Sequence, residues 1–206
     1  MGTEIVLLRH GQSQGNLQGR FGGHSDTPLT ALGIAQAEAT ARALDAEGGL
    51  TAIFCSDLPR TIDTAKPICE HTGIAMVKTP ALRERSVGLF TGLTFAEAES
   101  RYPEVYRSIM TRQPGSKAPE GETHGECTER AGTVVDEALA RFPAGRILFV
   151  SHSITIQLLL KKLLGLDETS ATFRIDNCGL HRLLRNAAGH WTVEALNDRR
   201  HLVGVG

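Results

Sequence analysis

No run of apolar residues in this 206-residue chain approaches the roughly 20 needed to cross a bilayer. Nothing ahead of the first apolar segment reads as a cationic leader. A charge excess is also lacking, with 22 Lys and Arg against 23 Asp and Glu. Nucleic acid or an anionic membrane surface would call for surplus cations, so neither is an expected partner and any positive field must be local. Cysteine is sparse: Cys55, Cys69, Cys127 and Cys178 are far apart, with no C-x-x-C pair. They read as small reduced core residues, which predicts a cytoplasmic location. No two histidines show H-E-x-x-H spacing, so no zinc site, metal or other cofactor is expected. Internal repeats, low-complexity tracts and linkers are missing, and the chain reads as one domain over residues 1–206. A chain of this length can bury about 70% of its unfolded surface without staples.

What the chain does contain is an alternation of short apolar runs with helical periods. Glu4–Leu8, Thr51–Cys55 and Ala75–Val77 read as strands, and Thr30–Ala46 and Pro59–His71 as helices, with Pro67 marking a kink or a stop in the second. Ile147–Val150 is a further strand, followed by a helical stretch from Ile154 to Leu164. This order predicts an α/β fold, a three-layer α/β/α sandwich around a mostly parallel sheet with right-handed crossovers. From Leu82 to about Gly121 the periodicity breaks into glycines, arginines and aromatics, read as an excursion over the sheet edge. Short helices are expected there at Phe95–Tyr102 and Tyr106–Met110, and a long one over Glu122–Phe142. Leu180–Leu184 and Trp191–Leu196 form a terminal hairpin pattern.

Three strand-to-helix junctions carry cations or imidazoles: Arg9-His10-Gly11, Ser56-Asp57-Leu58-Pro59-Arg60 and Ser151-His152-Ser153. Ligands of open α/β sheets bind at such strand ends, and helix N-termini favour anions. Arg9, Arg60, His10 and His152 therefore predict a phosphate site. A neutral His10 can attack phosphorus and form a phosphohistidine, and neighbouring arginines help keep it unprotonated. Two guanidiniums can grip phosphate oxygens and take the part that metal ions play elsewhere. The leaving alkoxide needs an acid, and Glu84 is the candidate, although a glutamate between Arg83 and Arg85 is more often an ion pair.

Arg9-His10-Gly11, Asn16, the stretch from Gly22 to Thr30, Ser56-Asp57-Leu58-x-Arg60, Glu84 and Ser151-His152 together resemble the histidine phosphatase superfamily, also called phosphoglycerate mutase-like. The match runs in order along nearly the whole chain. The resemblance implies His10 as the phosphorylated nucleophile, Glu84 as proton donor and acceptor, and Arg9, Arg60 and His152 as the phosphate pocket. Asn16, Gly22, Gly23 and Ser153 join the expected substrate contacts. Gln12, Thr91 and Ser153 stand where the family commonly has Glu, Glu and Gly, and Gln12 and Thr91 are expected to flank the pocket mouth. Cofactor-dependent mutases of the family carry a longer insertion between the catalytic glutamate and the second histidine. The short segment here favours a phosphatase acting on a small phosphorylated metabolite, with a 2,3-bisphosphoglycerate-dependent phosphoglycerate mutase and a non-catalytic phosphate-binding protein as the alternatives. A homodimer is the candidate assembly.

Other residues stay divided between roles. His24 reads equally as a rim or a solvated loop residue, and His124 as surface rather than a leaving-group contact. Phe90, Phe95, Tyr102, Tyr106 and Met110 either wall a substrate or pack the excursion. Arg85, Arg101, Arg107, Arg112 and Lys117 either attract anionic substrates or, by default, are scattered surface charge.

Overall fold

Strand β1 (Thr3–Arg9) lies near the middle of a six-stranded sheet in the computed structural model, which describes residues 2–205. With β2 (Leu50–Ser56), β3 (Met76–Thr79) and β4 (Gly145–Ser151) it forms a parallel region ordered β3-β2-β4-β1. Strands β5 (Leu180–Arg185) and β6 (Trp191–Asp198) extend the other edge antiparallel. Strands β1, β2 and β4 are buried on both faces over most of their length, which is why they read as unbroken apolar runs rather than alternating ones.

Alternation nonetheless decides which layer each side chain joins. Ile5 and Leu7 of β1 pack into the core with α6 (His124–Arg141) and α7 (Ser153–Leu164), through Val135, Ala138, Ile156 and Leu159. Val6 and Leu8 point the other way, toward Ala41 and Leu44 of α2 (Ala31–Glu47) and Ala65 and Ile68 of α3 (Pro59–Thr72). All four β1 side chains are fully buried, each contributing about 1.5–3 kcal/mol of transfer free energy. The expected sandwich is what forms.

Several boundaries differ from the pattern-based expectation. Helix α3 continues through Pro67. The residue whose carbonyl loses its partner there, Asp63, is exposed and can be solvated, while Ala65 and Ile68 anchor both sides of the proline in the core. The strand expected at Ala75–Val77 is Met76–Thr79, set by pairing of Ile53 to Met76 through Ser56 to Thr79. The long helix starts at His124 rather than Glu122, because Thr123 caps it with a reciprocal Glu126 bond, and it ends at Arg141. In the excursion, α4 (Phe95–Arg101) stands nearly as expected, but α5 (Pro103–Met110) begins three residues before Tyr106, since Pro103 is preorganised for a first helical turn. One short helix, α1 (Gln14–Leu17), was not signalled by periodicity; a Ser13–Asn16 capping box makes it.

The excursion carries a small core of its own, in which Val87, Phe90, Ala98 and Ala118 are buried against Phe21 and Tyr102. Phe90, Tyr102 and Tyr106 therefore serve packing.

Helix α2 sits so close to the turn after β1 that two glycines are required. A Cβ on Gly33 would lie 2.1 Å from the Gln12 carbonyl oxygen, and one on Gly11 would lie 2.5 Å from the Gly33 oxygen. Both clashes are with backbone, which cannot rotate away. Gly33→Ala is therefore expected to destabilise the fold by about 1–3 kcal/mol, read in a thermal melt. It should also displace the His10–Gly11 turn and lower turnover.

Candidate active site

Because β1, β2 and β4 are parallel and adjacent, their C-terminal ends bring Arg9-His10, the Ser56–Arg60 turn and Ser151-His152 to one edge. The His10 N–H continues the β1–β4 ladder by donating to the Ser151 carbonyl (3.1 Å). The Gly11 N–H donates to Thr64 Oγ1 at 3.0 Å, which ties the turn to α3. Asn177 Nδ2 donates to the His10 carbonyl at 2.9 Å. The backbone beneath the imidazole is thus fixed by β4, α3 and the segment before β5.

The ring itself is oriented by one bond. His10 Nδ1 lies 2.7 Å from the Gly11 carbonyl oxygen, an acceptor with no proton to give, so Nδ1 carries the hydrogen and Nε2 keeps its lone pair. His10 is buried, and burial, followed by the charges of Arg9 and Arg60, holds its pKa well below the usual histidine range. The imidazole is neutral at physiological pH, and its free nitrogen is Nε2.

His10, Arg9, Arg60, Asn16, Gly22, Gly23 and Glu84 all line one cavity of about 60 Å³. That is room on the scale of one small anion, since a cavity needs only about 10–15 Å³ on this measure to admit a water. Arg9 donates through Nη1 to the Ile175 carbonyl at 2.7 Å, but its Nε is buried with no partner. An unpaired buried guanidinium N–H is costly alone and suits an anion. Arg60, in the first turn of α3 and buried, donates to the Gly23 and Ser25 carbonyls at 2.8 and 2.6 Å. Desolvation lowers the pKa of both guanidiniums, and the Glu84 charge opposes that shift in each. Gly23 has φ of +45°, and a Cβ there would meet Val87 at 2.8 Å, so the loop that offers its carbonyl to Arg60 needs glycine. Asn16 Oδ1 accepts from Ser13 and Asn177, leaving its amide nitrogen as the donor for a guest.

Glu84 does not pair with its neighbours in sequence. Arg83 instead grips Asp57 through two bonds of 2.6 and 2.7 Å. The Glu84 carboxylate sits at the N-terminus of α7, where it accepts from the Ile154 and Thr155 N–H groups at 3.2 and 3.1 Å, and from the Arg85 N–H at 2.9 Å. The helix dipole and unpaired N–H groups hold it there, beside the cavity rather than in solvent.

Three expectations need correction. His152 does not line the cavity. Its ring centroid is 5.2 Å from that of His10, but Nδ1 accepts from Arg60 Nε at 3.2 Å and Nε2 donates to Ser56 Oγ at 2.9 Å. In this arrangement it is a buried neutral prop that orients Arg60, its pKa held well down by burial and then by the Arg60 charge. Gln12 does not flank the mouth, because its side chain accepts from Thr30 Oγ1 at 2.9 Å at the start of α2; Thr91 is exposed against Gly23. Arg85 is not surface charge, being 5% exposed.

Beyond the small cavity lies a wider one of about 350 Å³. Ser153 is on its wall, together with His124, which is half-buried and bonded through Nδ1 to Glu168. His24 is tied by Nε2 to the Glu84 carbonyl at 2.8 Å, a link that braces the Glu84 backbone. Sequence reasoning missed Ser13, Gly15, Arg20 and Thr27, which complete the small cavity, and Asn177, which fixes His10. The Ser13-x-x-Asn16 capping signature was the available signal for the first. Another concavity, about 570 Å³, lies elsewhere, among the Glu4, Glu47, Arg146 and Arg182 ion pairs, and is lined by no nucleophile.

Comparison with known proteins bears on this geometry. A curated relative from Yersinia pestis, named "Probable phosphoglycerate mutase GpmB", is 34% identical over 205 residues, spanning 97% of this chain and 94% of its own. A mycobacterial glucosyl-3-phosphoglycerate phosphatase structure superposes with a TM-score of 0.85 at 28% identity, covering 97% of this chain and all of that one. Bacillus stearothermophilus YhfR shares the fold, with a TM-score of 0.86 at 23% identity over 97% of this chain and 99% of its own. Residues 5–199 match the family described as histidine phosphatase superfamily (branch 1), and the chain belongs to it.

Proposed function

We propose that the chain is a phosphatase that hydrolyses a small phosphate monoester through a covalent phosphohistidine. The observation that carries this reading is the His10 tautomer: Nδ1 tied to Gly11, and Nε2 free in a cavity lined by Arg9, Arg60 and Glu84. In the first step His10 Nε2 forms a bond to phosphorus as the ester P–O bond breaks, and Glu84 gives its proton to the departing oxygen. In the second step Glu84 takes a proton from water, whose oxygen bonds to phosphorus as the P–N bond breaks. Arg9 and Arg60 hold the equatorial oxygens throughout, and His152 keeps Arg60 in line.

The reading assigns charge neutralisation to guanidiniums rather than to a metal. Turnover is expected to be unchanged after exhaustive dialysis against EDTA; a loss restored by a divalent cation would overturn that assignment.

The mutase alternative draws support from the 34% identical relative. A mutase must shield its phosphohistidine from water until a second hydroxyl arrives. Here the excursion is short, and the wider cavity shares Asn16, Arg20, Gly22, Gly23 and Glu84 with the smaller one, while its Phe95 and Met110 are half exposed, a layout that suits access by water. The deciding experiment supplies 3-phosphoglycerate with and without 2,3-bisphosphoglycerate. Phosphate release faster than isomer interconversion is expected, and the reverse would favour the mutase. A non-catalytic phosphate-binding protein would bind p-nitrophenyl phosphate without releasing product.

A further inference from the structure

Glu84 stands in a stretch, residues 83–87, that is neither helix nor strand, so the backbone there depends on side chains for its hydrogen bonds. Four successive carbonyls find such partners. Arg130 of α6 donates from Nη1 to the Ala81 carbonyl at 2.6 Å and to the Arg83 carbonyl at 3.2 Å. Ser151 Oγ donates to the Leu82 carbonyl and Thr155 Oγ1 to that of Arg83, both at 2.8 Å, and His24 engages that of Glu84. The Nε and Nη2 groups of Arg130 donate to the two Glu122 carboxylate oxygens, each at 2.9 Å. The oxygen that meets Nη2 also accepts from the Ser86 N–H at 2.8 Å, and the Glu122 N–H donates to the Ser86 carbonyl at 2.9 Å. Arg130 and Glu122 thus grip the chain on both sides of Glu84, by carbonyls before it and by an amide after it. Neither lines the small cavity or the wider one.

We propose, resting on the phosphatase reading, that Arg130 and Glu122 are positioning residues for the Glu84 carboxylate: the pair fixes where the acid meets the departing oxygen and the attacking water, and touches neither. A planar guanidinium held by a carboxylate at two points has a single orientation, which makes α6 a rigid reference for residues 81–86. Hydroxyl donors set direction less firmly, because Ser151 and Thr155 each hold one of these carbonyls through a bond that can rotate. The last N–H of Arg130 faces Cys127 Sγ at 3.4 Å, so the guanidinium keeps no donor for a ligand and its role is spent on the chain. Without it, the Ala81 carbonyl loses its partner and the Glu122 carboxylate loses its cation. The Glu84 carboxylate is then free to drift from the Ile154 and Thr155 N–H groups that it now meets. A shift of about 1 Å caused far from the chemistry can cost about 100-fold in rate.

The test is Arg130→Met, assayed with labelled p-nitrophenyl phosphate and butyl phosphate. First-turnover rates are read by rapid quench, and their ratio cancels any loss of folded protein. Nitrophenolate leaves without a proton, so its release is expected within about threefold of wild type, whereas the butyl ester slows by about 10–100-fold. Arg130→Lys should restore part of that loss. In a Glu84→Gln background Arg130→Met should slow the butyl ester little further, because no acid is left to misplace. A ratio unchanged from wild type, or a loss undiminished in the Glu84→Gln background, would overturn the proposal. Should Arg130→Met not fold, Glu122→Gln, which removes one acceptor oxygen, carries the same comparison. Amide exchange gives a readout that needs no turnover: the Ile154 and Thr155 N–H groups should exchange about tenfold faster or more in Arg130→Met, while those of Phe149 and Val150 in β4 stay protected. If the wild type hydrolyses neither ester, the phosphatase reading fails by itself, and exchange still judges the pair; equal exchange at Ile154 and Thr155 in wild type and variant overturns it.

Discussion

Replacing His10 with alanine is expected to reduce turnover of p-nitrophenyl phosphate by at least about 10⁴-fold, the scale seen when a covalent nucleophile is removed, while the protein stays folded. The imidazole makes one side-chain hydrogen bond, to the Gly11 carbonyl, so its removal costs about 1 kcal/mol of hydrogen bonding. The backbone of the turn is held independently by Ser151, Thr64 and Asn177. A near-native melting temperature should therefore accompany the loss. Labelling gives a second readout. Wild-type protein mixed with labelled ester and quenched in alkali should retain phosphate on nitrogen, whereas His10→Ala should retain none. Substantial turnover by the folded variant would refute attack by this imidazole.

That prediction could be framed from the chain alone because strand ends are legible. Ile5–Leu8, Ile53–Cys55 and Ile147–Val150 are apolar without interruption because helices cover both faces of the sheet, and the polar residues that follow mark where it stops. The helix expected from Thr30 starts within one residue of that position, with Thr30 Oγ1 accepting from the Gly33 N–H as its cap. The pairing of Glu84 was not legible. Its neighbours Arg83 and Arg85 suggest an ion pair, yet Arg83 turns to Asp57 and the carboxylate caps a helix 70 residues further on. Local spacing carries no information about such a partner. Nor does it reveal that Arg85 is buried, since the carbonyl it donates to belongs to Glu122, 37 positions further on. Asn177 was missed for the same reason: it precedes β5 in a stretch without helix or strand, and its value lies in reaching His10 across 167 positions of chain. His152 shows the opposite failure. Its position was read correctly as a strand end, but Arg60 and Ser56 occupy both its nitrogens, so it acts on the cavity through Arg60.

The second large effect is expected from Glu84→Gln, and its size should depend on the leaving group. An alkyl ester needs a proton at the departing oxygen, so its turnover should fall by about 10²–10⁴-fold, the range for loss of a positioned acid. A nitrophenolate leaves without one, so phosphorylation of His10 should survive, while attack by water on the phosphohistidine loses its base. The variant should then show a burst of nitrophenol equal to the enzyme present, followed by slow turnover, and should accumulate label on nitrogen. With the alkyl ester it should accumulate little, because the first step is the one blocked. Stability should change modestly, since the glutamine oxygen can still accept from the Thr155 and Arg85 N–H groups, although the Ile154 N–H loses its acceptor and the charge that favours the N-terminus of α7 is lost, at about 0.3–1 kcal/mol. A uniform loss across alkyl and aryl esters, with no burst, would mean that Glu84 only braces the helix start. The proton would then come from another group on the cavity wall.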